Sequence, residues 1–214
     1  TLDGWETALR PDTLKAFSDC GFALPDDPPA MLAAVALALK IDPASRRPAD
    51  LRRVFDRLAQ ARVLAKGVAA PAALVADLAA GELCLAPVTA ADAALAAARA
   101  GAAGEGAEIV FMAPREGAPV ALDALAILRD AAHPAEAAAF VDFALRPEQL
   151  ARALARTRYA PAVPAVRALV DPALAQDAAL FPDAATAARL FAPAPMDAGG
   201  AAQTARDWAR IKGG

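Results

Sequence analysis

The stretch Glu108–Leu128, EIVFMAPREGAPVALDALAIL, decides the fold. Two apolar runs, Glu108–Met112 and Val120–Leu128, flank the turn Pro114-Arg115-Glu116-Gly117. Short apolar runs bounded by Pro and Gly read as buried strands. The second run is apolar enough to be covered on both faces, as in a largely parallel sheet. Its only charge between Ala118 and Leu128 is Asp123. A carboxylate inside an apolar strand is either bonded to backbone amides or paired with a ligand, because a lone buried charge is costly.

Helical signals surround this stretch. Asp12–Phe17 follows Pro11, and Asp27–Leu39 opens with a capping Asp and prolines before an apolar run. Ala49–Ala61 places Leu51, Val54, Phe55 and Leu58 at helical spacing, which predicts an amphipathic surface helix. Ala72–Ala80 ends at Gly81, a C′ residue, and Leu83–Ala86 then reads as a short buried strand. Thr89–Arg99, Pro134–Ala144 and Pro147–Thr157 are further helices, and the tail holds short ones. Tyr159–Pro164 is proline-rich and suits a hinge. Strands alternating with helices give an α/β chain.

Composition narrows the function. The 214 residues are 57% apolar but only 5% aromatic, so the cores are built from small side chains. The longest apolar run, Met31–Leu39, is less than half of the roughly 20 residues that span a bilayer. A net charge of −3 offers no clustered cations for phosphate, which argues against nucleic acid. No nucleophile elbow, phosphate loop or metal-ligand spacing is present, and the sole histidine, His133, stands at a helix start. No cofactor and no enzymatic chemistry are expected. Gly101–Gly106, GAAGEG, precedes a strand instead of following one, so it reads as a turn and not as a dinucleotide loop. The two cysteines, Cys20 and Cys84, are by themselves as compatible with two buried thiols as with a bridge.

Five phrases occur together in order: Gly4–Gly21 (GWETALRPDTLKAFSDCG), Asp77–Pro87 (DLAAGELCLAP), Ile109–Leu128, Phe143–Ala151 (FALRPEQLA) and Ala205–Gly214 (ARDWARIKGG). Their sequence resembles the C-terminal part of the periplasmic polyamine-binding proteins of ABC importers, without the N-terminal stretch that opens the first lobe. The resemblance implies a two-lobed periplasmic-binding-protein fold of type II, here incomplete. Residues 1–90 and 160–214 would form the second lobe and 93–158 the returning part of the first. A sheet lacking its opening half exposes an edge, so a further segment or self-association of the chain would be needed to cover it.

The resemblance also implies function. It pairs Cys20 with Cys84 in a disulfide, which is stable in an oxidising compartment and points to the periplasm. It places Asp92, Asp123 and Tyr159 in the ligand cleft, where a diamine needs a carboxylate for each ammonium and aromatic walls along its methylenes. Other family positions differ. Thr89 stands for a cleft Trp, Ala121 and Leu122 for the aromatic before Asp123, Pro29 or Ala30 for an acid, and Pro71 or Ala72 for a serine. Trp5 and Trp208 are expected to pack in the hinge and tail. Two readings follow: a receptor that hands a polyamine-like cation to a membrane permease, or the same fold with its ligand changed or lost, acting as an interaction protein.

Overall fold

A computed structural model describes residues 2–102 and 108–213. The elements run α1 (Trp5–Ala8), α2 (Pro11–Lys15), β1 (Ala23–Pro25), α3 (Pro28–Ala38), α4 (Pro48–Leu64), β2 (Gly67–Ala69), α5 (Pro71–Ala79) and α6 (Ala90–Ala102). They continue through β3 (Ala118–Pro119), α7 (Pro134–Ala144), α8 (Pro147–Thr157), a 3-10 turn (Pro164–Leu169), α9 (Pro172–Ala175), α10 (Ala184–Ala187), β4 (Leu190–Phe191) and α11 (Ala198–Gly213). The expected turn at Gly101–Gly106 lies outside the described residues from Ala103 onward, and its first two residues lengthen α6.

Proline sets most helix starts. It is the first residue of α2, α3, α4, α5, α7, α8 and α9, where its fixed φ suits the first turn and its missing N–H would have no partner. Asp27, Asp171 and Asp183 cap α3, α9 and α10 by accepting hydrogen bonds from the amides of Ala30, Ala173 and Thr186. The backbone bond from Thr186, then that residue's side chain, holds the Asp183 carboxyl below its usual range. Gly81, at φ +73°, ends the helical segment as expected.

The chain buries three clusters. In the largest, Met31, Leu32 and Val35 of α3 pack with Val54 and Leu58 of α4 and with Trp208 and Ile211 of α11. The polar face of α4, with Arg52, Arg53 and Asp56, is exposed, so its amphipathic pattern is realised. In the second, Leu74, Val75 and Leu78 of α5 meet Ala96 of α6, with Ala23 and Leu83 beneath. In the third, Ala151 and Leu154 of α8 pack on Val166 and Leu180. These clusters run across both expected lobe boundaries: α6 shares a core with α5, and residues 166 and 180 share one with α8.

Both ladders are parallel. β1 pairs with β2 (Ala23↔Gly67, Leu24↔Val68, Pro25↔Ala69), and β3 pairs with β4 (Ala118↔Leu190, Pro119↔Phe191). Several strand expectations need correction. Leu83–Ala86 contributes only the parallel bridge Phe22↔Leu85, and Glu108–Met112 forms no ladder. Val120 donates to the Phe191 carbonyl at 2.9 Å, but the rest of Val120–Leu128 joins no ladder among the described residues. Residues 121–130 are exposed, including Leu122, Leu125 and Leu128, so the stretch expected to be covered on both faces is covered on neither. The physical reason is a shortage of partners, since β4 ends at Phe191 and no other described strand lies alongside. The tail also differs from expectation, because it ends in the 16-residue α11 and not in short helices alone.

The last helix is fastened by Asp26, at the end of β1. Its Oδ1 accepts from the Trp208 indole at 2.8 Å and its Oδ2 from Lys212 Nζ at 2.5 Å. The Lys212 bond, followed by the Trp208 bond, holds the Asp26 carboxyl below the usual carboxylate range. A depressed folded-state value adds stability above the unfolded pKa and loses it as pH falls through the folded one. The pair is partly exposed, so its worth is at most about 1 kcal/mol. Lys212→Met is therefore expected to lower the urea midpoint slightly at pH 7 and to show a smaller difference from wild type below about pH 3.8; an equal difference at both pH values would contradict the linkage.

Candidate functional site

Asp92 lies in the first turn of α6 and is half-buried. Thr89, just before the helix, receives the Asp92 amide on its hydroxyl at 3.1 Å and donates that hydroxyl to Asp92 Oδ2 at 2.8 Å. The Thr89 hydroxyl caps the helix start and holds the Asp92 carboxylate beside it. The Thr that stands where the family has a Trp thus has a structural task of its own, and one oxygen of Asp92 is already engaged.

Asp123 and Leu122 sit on the uncovered segment after β3, and both are exposed. The Asp123 carboxylate has no hydrogen-bond or ion-pair partner among the described residues, so the reading in which backbone amides satisfy it is not realised. Tyr159 follows the left-handed C-cap Arg158 (φ 59°) of α8, and its ring is half exposed. Its amide donates to the Thr157 hydroxyl at 3.3 Å. Apart from the Thr89–Asp92 pair, no hydrogen bond or ion pair joins any two of these five residues among the described residues. A cavity of about 620 Å³ is lined by Ala93, Ala97, Phe111, Arg167, Asp177 and Asp183 among others, and by none of the five. Its charged side chains are engaged: Asp183 caps α10, Asp177 accepts from Ala179, and Arg167 bonds the Ala175 carbonyl and lies over Phe181.

Cys20 and Cys84 are joined, with Cα atoms 5.6 Å apart. The bridge links the turn after α2 to the segment after α5, beside the Phe22↔Leu85 bridge. Asp50 illustrates a buried acid with a purely structural role. Ser45 Oγ donates to it at 2.6 Å and Arg47 Nε at 2.7 Å, and these bonds hold its carboxyl below the usual range. Among the described residues no cluster of His, Cys, Asp and Glu is arranged to hold a metal. Among the same residues no helix is long and apolar enough to cross a membrane.

One contact was not foreseen. The Glu116 carboxylate accepts the amides of Trp5 at 3.0 Å and Glu6 at 2.9 Å, and the Trp5 indole donates to the Gly117 carbonyl at 2.8 Å. Both partners lie in phrases singled out in the sequence, Gly4-Trp5 and Pro114–Gly117. Their separation of about 110 residues hides the contact from any local reading.

The chain belongs to the bacterial extracellular solute-binding proteins, whose family model matches residues 4–182. This is a family of solute-binding proteins and not of enzymes. The chain is 30% identical over 214 residues to the putrescine-binding periplasmic protein PotF of Escherichia coli K12. It is 26% identical over 213 residues to a putrescine/agmatine-binding protein of Pseudomonas aeruginosa. All of the chain is aligned in both, against 58% of each relative's length. Solved structures share the fold: the substrate-binding protein PotD of a Streptococcus pneumoniae spermidine/putrescine ABC transporter (TM-score 0.79, 16% identity) and a putative spermidine/putrescine ABC transporter from Listeria monocytogenes (0.83, 17%). Each alignment covers 99% of this chain and 62% of the other. The fold is therefore the periplasmic-binding-protein type, represented here in part.

Proposed function

We propose that the chain is the solute-binding component of an ABC importer, capturing a polyamine or related small cationic solute in the periplasm and delivering it to an inner-membrane permease. The observation that carries this reading is the whole-chain similarity to putrescine-binding periplasmic proteins, joined to a carboxylate, Asp123, that has no partner among the described residues and stands on an apolar segment. An ammonium removed from water needs such a partner. The bridged cysteines support an oxidising compartment.

In this reading the lobes divide where the cores divide. Residues 4–117 and 191–213 make one lobe around the first two clusters, and 118–190 make part of the other around the third. The parallel pair β3–β4 is then the crossing between them. Closure would carry Asp123 and Tyr159 of one lobe toward Asp92 of the other, with the solute favouring the closed state.

A second reading keeps the fold with a changed or lost ligand. It is favoured by Thr89, whose hydroxyl occupies an oxygen of Asp92 where the family pattern has an aromatic wall. Thr89→Trp separates the two in the full natural chain. Loss of the cap is expected to lower stability by about 1 kcal/mol. If polyamines are the ligands, the restored wall adds a cation–π contact of about 0.5–2 kcal/mol, a gain of roughly 2- to 30-fold in putrescine affinity. No gain in calorimetry, with the protein folded, favours the second reading.

A further inference from the structure

Three passages of the chain meet at one point: residues 3–6 entering α1, residues 115–118 entering β3, and Arg189 before β4. We propose that Glu116 is a positioning residue that clamps the first two passages into one rigid unit, so that its carboxylate confines the motion between the lobes to the β3–β4 crossing without touching solute. The inference rests on the division at β3 and β4 given above.

The carboxylate is unusually committed for a residue in a turn. Each oxygen takes a different backbone amide, Oε2 from Trp5 and Oε1 from Glu6, and the side chain is 16% exposed. The bonds are reciprocated across the junction by the Trp5 indole on the Gly117 carbonyl and by the Arg115 amide on the Asp3 carbonyl at 3.1 Å. Arg115 Nη1 adds an ion pair to Asp3 at 2.9 Å, exposed and of secondary weight.

Two glycines make the approach possible. Gly4 has extended backbone that any residue could adopt, yet a Cβ there would overlap the Glu116 carboxylate. Gly117 has φ +103°, and its Cβ would meet the Arg189 carbonyl, so the second and third passages also touch through bare backbone. Closure by bending at a free loop would need none of these contacts. A clamp of this kind makes the first two passages move together and confines hinge motion to the short β3–β4 pair.

The test uses Glu116→Gln and Trp5→Phe in the full chain, with spin labels on Arg53→Cys in α4 and Arg152→Cys in α8, both exposed positions. A glutamine has only one acceptor oxygen, so one amide of the Trp5–Glu6 pair is expected to exchange about tenfold faster or more, with the amides of Met31–Ala36 unchanged. The distance distribution between labels is expected to be narrow in wild type and broader in both variants. Unchanged exchange at Trp5 and Glu6 would show that the bonds do not hold in solution and would overturn the clamp. Faster exchange with an unchanged distance distribution would overturn it too, by showing that the division at β3 and β4 is wrong. A wild-type distribution as broad as the variants' would equally defeat it, and if Glu116→Gln fails to fold, Trp5→Phe decides alone.

Discussion

Reduction of the Cys20–Cys84 bridge is expected to lower the stability of the chain by about 4 kcal/mol. The bridge closes a loop of sequence separation 64, and the chain-entropy model gives a constraint on the unfolded state of this size. The bridge spans the seam between the first and second cores, where backbone bonds also run from Cys84 and Leu85 to the Gly21 carbonyl and from Ala23 to the Leu85 carbonyl, beside the β1–β2 ladder. Urea unfolding with and without reductant measures the effect, as a fall in midpoint at similar slope. An unchanged midpoint would mean that the thiols are unbridged in solution, and the periplasmic reading would lose one of its supports.

Asp123→Asn is expected to weaken putrescine binding by about 10- to 100-fold while leaving stability nearly unchanged. Removing one partner of a fully desolvated charge pair costs about 3–5 kcal/mol. Asp123 is exposed in this chain, so the pair keeps part of its water and the loss is set lower. The near-neutral effect on folding follows because the carboxylate has no partner among the described residues. Isothermal calorimetry and a urea curve on the same variant check both halves. Unaltered affinity would remove Asp123 from the site, and a large loss of stability would show that the acid has a structural partner after all.

The helices were legible because their signals are local. Pro134–Ala144 and Pro147–Thr157 match in full, and α3, α4 and α5 differ at their ends by one to three residues, where frayed turns always blur. The strands were not. Val120–Leu128 has the composition of a buried strand, but a strand exists only through its neighbour, and β4 reaches no farther than Phe191. Conversely, Ala23–Pro25 and Gly67–Ala69 are too short for an alternating pattern and owe their pairing to tertiary packing. At the candidate site, family phrases pointed to Asp92, Asp123 and Tyr159. The capping role of Thr89 was hidden because a threonine three residues ahead of an acid is a weak signal beside the tryptophan that the family phrases lead one to expect there. The Glu116 contact was hidden by sequence distance alone.

Titration of putrescine into the full natural chain, set against butane-1,4-diol of the same length without charge, tests the central claim most directly. Saturable heat with Kd of about 1 μM or tighter for the diamine, and none for the diol, is the expected result for a receptor built on carboxylate–ammonium pairs. Equal heats, or no heat with putrescine or spermidine, would contradict it and leave a solute-binding fold whose ligand is not a polyamine.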